Sequence, residues 1–455
     1  MKFTKSPKSR RSVLKGGALL AGGALVTPHI FVRGANAQQQ CATLNNFPVE
    51  GPEVTFGFSV PQTGAYADEG ADELRAQTLA VEHINNGGGM LNTLKPLSLT
   101  GQGILGKKVN FVTGDDQTNP DATRQVARRM IERDGVIMFN GGSSSATAVA
   151  AQALAQDLGV VFMNGLTHAN ETTGKDRRRY GFRQFFNSYM TGLALGPVLA
   201  ANYGKDRGAF HMIADYNWGH STSGAMKDAT EAQGWTTINR VSTPLGATDY
   251  SQFLTAFLNS DADVLVLNHY GNDMVNSVTQ AVQFGVRDMQ KNGRQVELVV
   301  PLYSRLMAQG AGDNIEGVFG TTNWNWSLQN PGAKAFVDAF TEKYGFPPSQ
   351  AAHTCYVQVL LYADACERAG TFYAPEVIAA LEDHTYEGDG YNSPSLYRKG
   401  DHQAFHDVFL VRGKAASARA SEFDLLEIVD EVPRSTVEYP VDTFEGELGP
   451  YCPTA

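Results

Sequence analysis

The sequence predicts an α/β protein made of two similar halves, each a parallel sheet with helices on both faces. Strand and helix patterns alternate at the spacing of βαβ units from residue 54 onward. The alternation breaks at Arg183-Gln184-Phe185-Phe186 and then starts afresh. The 455 residues leave ample length for two to three domains after any leader.

In the first half, Val54-Thr55-Phe56-Gly57-Phe58-Ser59-Val60 reads as a strand ending at Pro61-Gln62-Thr63-Gly64. Leu74, Leu79, Val81 and Ile84 have helical spacing over 71–85, and Asn86-Gly87-Gly88-Gly89 stops that helix. A Gly-, Leu- and Pro-rich stretch over 90–106 predicts a long loop or insertion. Strand 109–113, helix 122–133, strand 136–139, helix 146–157 and strand 160–163 follow. The second half predicts helices at 191–203, 221–232, 250–258 and 274–284, with strands at 209–213, 237–241, 264–267 and 298–301. Helices at 331–344, 353–369 and 375–381 and a strand at 405–411 come next. Residues 412–455 form an acidic, proline-spotted tail without clear periodicity.

The start of the chain has the pattern of an export signal. Ser9-Arg10-Arg11-Ser12-Val13-Leu14-Lys15 is a twin-arginine pattern, a short glycine-rich apolar run follows, and Ala35-Asn36-Ala37 is a small-x-small cleavage site. Residues 1–37 are therefore expected to be removed, and the mature chain to be periplasmic with no direct insertion in a membrane. Seven of the 37 Lys/Arg and none of the 47 Asp/Glu lie in that segment, so the mature chain carries a formal charge of −17. That balance argues against nucleic acid or an anionic membrane surface as partner. Cys355 and Cys366 stand eleven apart in a predicted helix, roughly 16 Å along its axis, too far to pair. Cys41 and Cys452, at the two ends, are the pair better placed to bridge.

One stretch carries more chemistry than its neighbours. Val136-Ile137-Met138-Phe139 runs into Gly141-Gly142-Ser143-Ser144-Ser145 and then a helix, giving a strand, a glycine turn and a hydroxyl-lined helix N-terminus. The free N–H groups of a first helical turn attract anions, and hydroxyls there can donate to a carboxylate. The competing reading is that Ser144 and Ser145 merely cap the helix.

The order of motifs resembles that of type I periplasmic binding proteins, in the leucine/isoleucine/valine-binding branch of ABC-importer receptors. Pro61-Gln62-Thr63-Gly64-Ala65-Tyr66-Ala67-Asp68-Glu69-Gly70 resembles the family's opening P-x-T/S-G-x-x-A-x-x-G. Glu82 to Gly88, Gly114-Asp115-Asp116-Gln117-Thr118-Asn119-Pro120, Gly141 to Thr147 and Asp215-Tyr216-Asn217-Trp218-Gly219 resemble four further motifs in register. The resemblance covers nearly all of 50–412. It implies two doubly wound, Rossmann-like lobes joined by a three-segment hinge near 183–188, 317–323 and 386–392. Lobe 1 would take 50–185 and 322–388, lobe 2 188–318 and 393–412, with a C-terminal tail over 413–455.

By that resemblance the protein is a monomeric solute receptor that closes on a small carboxylate-bearing solute and delivers it to a membrane permease. The carboxylate would be held by Ser143, Ser144 and Ser145 and by Thr167 and His168, which follow the next strand. Trp218, Tyr270 and Tyr66 would wall the cleft. Amino-acid-binding relatives place an acid after the strand equivalent to 298–301, whereas Pro301-Leu302-Tyr303-Ser304 has none. Either Asp215 or Asp273 substitutes, or the solute lacks an amine and is an organic or aromatic acid. An exported enzyme is the weaker reading, because no Cys-x-x-Cys, His-Glu-x-x-His or nucleophile–base set stands out. No cofactor and no metal are expected; His402 and His406 are four apart but run into a predicted strand. A sensor working with a separate signalling partner is the alternative binding role.

Overall fold

The computed structural model describes Cys41 and residues 44–453. The expected export signal lies outside the described residues. No helix among the described residues is long and apolar enough to cross a membrane.

Lobe 1 begins with β1 (Glu53–Val60), whose last five residues are all buried, as a strand covered on both faces requires. Helix α1 (Ala67–Asn86) follows and stops at Gly87, with φ 79°. It starts four residues earlier than its apolar spacing predicts, because its first turn holds the acidic Asp68 and Glu69. After the irregular 90–106 stretch come β2 (Lys108–Asp115) and α2 (Pro120–Glu132), which has Asn119 as its cap. Next are β3 (Met138–Gly141), α3 (Ser145–Leu158), β4 (Val161–Asn164) and β5 (Gly181–Arg183). The strand order β2-β1-β3-β4-β5 is parallel throughout. Strand β3 begins two residues late because the Val136 N–H is spent closing the end of α2 on Met130 O.

Lobe 2 runs through α4 (Ser188–Tyr203), β6 (Gly208–Ala214), α5 (Asn217–Glu231), β7 (Thr236–Thr243), α6 (Ser251–Leu258), β8 (Val264–Asn268) and α7 (Gly271–Gln283). A two-stranded ribbon, β9 (Gln290–Lys291) and β10 (Arg294–Gln295), leads into β11 (Glu297–Leu302), α8 (Arg305–Ala311) and β12 (Phe319–Thr322). The chain then returns to lobe 1 for α9 (Pro331–Tyr344), α10 (Gln350–Ala369) and α11 (Ala374–Leu381). Helix α10 packs along α1 and under β3 and β4. It is buried from Gln350 to Cys366, so its lack of a polar face reflects a position in the middle of the lobe.

Two expectations change at the C-terminal end. Tyr386, Tyr391, Tyr397 and Ala404 belong to the core of lobe 1, whereas Phe405 and Val408 belong to that of lobe 2. The last forward crossing therefore falls at 404–408 rather than 386–392, and 393–404 stay with lobe 1. A backbone bond from Ala404 N to Arg183 O pins this crossing beside the first one.

The stretch from 413 is not an irregular tail either. After β13 (Val408–Gly413), β14 (Leu426–Val432) adds an antiparallel edge to the second sheet, order β14-β13-β12-β11-β8-β6-β7. Its hydrophobic alternation is interrupted by Val429-Asp430-Glu431 and by a register shift, which hid it in the sequence. Past α12 (Arg434–Val437) the chain crosses once more and lies on lobe 1, where Arg179 N donates to Leu448 O at 2.5 Å. A Cys41–Cys452 disulfide ties this strap to the start of the described chain. Cys355 and Cys366 are free and buried.

Candidate ligand-binding site

The serine loop sits where two strands come closest. At Gly141 φ is 146°, and a Cβ there would lie 1.8 Å from Ser59 O, so only glycine lets β3 pass β1 and turn into α3. Ser144 occupies the cap position of α3, yet its hydroxyl makes no cap hydrogen bond and has no partner among the described residues, though it is 1 % exposed. The capping explanation thus fails for the Ser144 side chain. Ser143 donates its hydroxyl to Glu73 Oε2 at 2.8 Å. Ser145 is spent otherwise: its Oγ accepts from the backbone N–H groups of His168 and Ala169 at 3.2 and 3.0 Å and from the Thr167 hydroxyl at 3.2 Å. It ties the loop after β4 to α3.

Thr167 and His168 are part of that tie. The Thr167 hydroxyl also pairs with Thr172 at 2.8 Å. His168 Nδ1 accepts the Trp218 indole N–H at 2.8 Å, and its Nε2 pairs with the Thr191 hydroxyl at 3.0 Å. Burial, reinforced by the Arg183 charge, pushes its pKa well below the ordinary histidine value. A neutral His168 with both nitrogens engaged joins the lobes through Trp218 and has no free atom to offer a solute.

Tyr66 and Tyr270 meet at the mouth between α1, α7 and α8. Tyr66 comes from the turn before α1, Trp218 from the first turn of α5, and Tyr270 from the turn before α7. Tyr216, which the sequence reading passed over, joins them. The four rings form a closed circuit, with centroid separations of 6.4 Å for Tyr66–Tyr216, 6.1 Å for Tyr216–Trp218, 6.1 Å for Trp218–Tyr270 and 5.7 Å for Tyr270–Tyr66. Tyr66 and Tyr216 also share a hydrogen bond of 2.5 Å between hydroxyls. Ala65, Tyr66, Glu69, Gly271, Asn272 and Met307 line an open pocket beside the circuit.

These elements carry the family's signature along most of the chain. Residues 53–419 match the model of the family described as "Periplasmic binding protein". The chain belongs to the periplasmic binding protein family. It is 28% identical over 343 residues to the Leu/Ile/Val-binding protein homolog 8 of Brucella abortus, covering 72% of this chain and 80% of the relative. Its fold is similar to a crystal structure of a periplasmic binding protein from Burkholderia mallei, with TM-score 0.76, 24% identity, and coverage of 85% and 96% of the two chains. It is also similar to an ABC-transporter solute-binding protein of Rhodopseudomonas palustris in complex with 3,4-dihydroxybenzoic acid. There the TM-score is 0.72, identity 20%, and coverage 84% and 98%.

Leu302, the last residue of β11, is buried in the second core, and Tyr303 and Ser304 after it bring hydroxyls but no acid. Neither proposed substitute is suited to replace the missing acid. Asp215 is exposed and pairs with His220 at 2.8 Å. Asp273 accepts the Gly246 N–H through both oxygens, and burial pushes its pKa up to about 6.

Two buried acids lie on α1 in lobe 1, and one of them, Glu69, lines the pocket beside Tyr66. Glu69 Oε1 accepts the Ser304 hydroxyl at 2.7 Å and the Tyr270 hydroxyl at 3.0 Å, both from lobe 2. Burial drives its pKa up to about 7, with Ser304 and Tyr270 opposing and Asp72 adding to the rise. Glu73, one turn on, is raised well above its ordinary value by burial, despite the Ser143 hydrogen bond. Sequence reading missed both because they sit in an amphipathic-looking helix start, where acids are ordinary companions of the dipole. The signal available was their i, i+4 spacing, with Glu69 at the end of the opening motif and Glu73 just past it.

Proposed function

We propose that this chain is the receptor of an ABC importer, closing two lobes about a hinge on a small solute and presenting it to a membrane permease. The observation that carries the reading is the Ser144 hydroxyl at the α3 N-terminus, buried and without a partner among the described residues. Free first-turn N–H groups beside an unspent hydroxyl suit a carboxylate. Relatives named for branched-chain amino acids and a neighbour holding an aromatic acid support the same size and class of guest. Among the sequence candidates, Ser144, Tyr66 and Tyr270 are the contacts we assign to the solute. Ser143 acts through Glu73, and Ser145, Thr167, His168 and Trp218 hold the wall. Lobe 1 comprises the first sheet with α9 to α11, and lobe 2 the second sheet with its helices; the hinge runs through 183–188, 322–324 and 404–408. We place the mature chain in the periplasm, exported through the twin-arginine signal and working as a monomer.

A thermal-shift screen of the mature protein against amino acids, aliphatic acids, aromatic acids and amines tests the reading. A solute at 100 times its Kd stabilises the folded state by about 2.7 kcal/mol. A melt that no small solute moves, in a protein that turns one of them over, contradicts it.

A further inference from the structure

We propose that Glu69 and Glu73 form a cation subsite that takes the protonated nitrogen of the solute, an ammonium or amidinium, from lobe 1. The inference rests on the receptor reading and specifies its guest. Three observations on the acids converge. Glu69 and Glu73 stand at i, i+4 on α1, so their side chains share one face. Each is fully buried, and each has one oxygen without a hydrogen-bond partner among the described residues, Oε2 of Glu69 and Oε1 of Glu73. The partnered oxygens fix where the free ones stand. Glu69 is held by Ser304 and Tyr270 of lobe 2, and Glu73 by Ser143 of the serine loop.

The second line of support comes from outside the acids. Ser144 Oγ, next to the serine that holds Glu73, is also unpartnered at 1 % exposure. Gln77, one turn further along α1, donates to Asn140 at 2.6 Å but leaves its Oε1 unpartnered and buried. With both carboxyls ionised, three of these four atoms can only accept, so a guest that satisfies them brings N–H or O–H donors, and a cationic nitrogen is the guest that also keeps the two acids charged. The four-ring circuit begins at Tyr270, whose hydroxyl is already on Glu69. Ring faces attract a cation within roughly 6 Å of their centroids. Carboxylate and ammonium of an amino acid are attached to one carbon, which suits a serine loop and an acid pair linked by the Ser143–Glu73 bond.

The charged groups facing the subsite are few. Asp72 stands on the same helix, Asp116 after β2 acts on Glu73, and Arg305 of α8 acts on Glu69 with its guanidinium 3.9 Å from Asp72. The nearby Asp273 is occupied by Gly246. The lobe 2 acid missing after β11 is thus replaced from the opposite lobe, with Ser304 of lobe 2 donating to it.

Calorimetric titration of the full mature chain with two matched sets tests this. One set is phenylalanine, 3-phenylpropionate and 2-phenylethylamine; the other is leucine, 4-methylpentanoate and 3-methylbutylamine. The amino acid or the amine should bind at least about tenfold tighter than the matching acid in one set, as loss of a charge-assisted bond implies. Glu69→Gln and Glu73→Gln should each erase that preference, leave the acid's affinity within about threefold, and raise the melting temperature of the free protein. The last readout separates a ligand subsite from a structural role and shows that both variants fold. An acid that binds as tightly as its amino acid, or glutamine variants that keep the preference, overturns the subsite and leaves the receptor reading standing. If no probe of either set binds the wild-type chain, the receptor reading for solutes of this size fails with it.

Discussion

Two buried glutamates of this protein have opposite fates. Glu382 lies under the C-terminal strap, where Arg179 reaches Oε1 at 2.7 Å, His402 at 3.1 Å, and the Tyr451 hydroxyl touches both oxygens at 2.9 and 2.7 Å. Burial alone would raise its pKa, but these partners overcome it and hold the carboxyl down at about 2. Glu69 is more deeply enclosed, has two hydroxyl donors on one oxygen and none on the other, and is raised to about 7. The first is a finished structural knot; the second is a half-made one. A buried charge without its full complement of partners is costly, and a fold retains one where something else completes it.

The contrast can be broken from either side. Glu382→Ala should have the largest effect, a loss of about 3–5 kcal/mol, because it leaves Arg179 facing a cavity with no counter-charge. Denaturant melts would show this, and solute affinity should hardly change, since the strap lies away from the cleft. Next comes the pH response of Glu69. Its folded pKa is raised above the unfolded value, so the folded state holds its proton longer, and stability of the solute-free protein should fall as pH rises from about 4.5 to about 7. From those two values the fall is about 3 kcal/mol. Comparing the pH dependence of unfolding in wild type and Glu69→Gln checks it, and the variant should lose that component.

The strap itself offers a smaller handle. Cys452→Ser removes the Cys41–Cys452 bridge, and about 2–3 kcal/mol of stability should go with it. Thermal melts with and without a reductant should reproduce that loss in wild type and show none in the variant. Smallest of all is Ser144→Ala, which should leave the melt within about 0.5 kcal/mol and weaken binding of a carboxylate solute by about 1 kcal/mol. An unchanged affinity would move the carboxylate off the serine loop.

Much of the fold was legible because buried parallel strands write themselves as short apolar runs and their helices as 3.6-residue spacing. What escaped was held by contacts far apart in sequence. Strand β14 hid behind Val429-Asp430-Glu431, and β12 was read as hinge because Phe319-Gly320-Thr321-Thr322 has no alternation. The last crossing was misplaced since Tyr391 and Tyr397 choose their lobe by packing that no local pattern reveals. In the site, the serine loop and three aromatics were visible as residues at strand ends. Their division of labour was not. That Ser145 and His168 are consumed by backbone and indole donors, while Ser144 is left over, depends on partners 22 to 50 positions away. The acids of α1 were overlooked because Glu69 lies in the first helical turn, where acids have an ordinary explanation, and Glu73 follows one turn on.

The most direct test of the central claim needs no chosen ligand. Native protein purified without refolding would be denatured, and the solute it releases identified and quantified by mass spectrometry. The prediction is a near-equimolar small molecule bearing a basic nitrogen, depleted in protein carrying Glu69→Gln and Glu73→Gln. A near-equimolar solute with no basic nitrogen, retained by that double variant, would contradict the claim that the half-satisfied carboxylates are there to receive a cation.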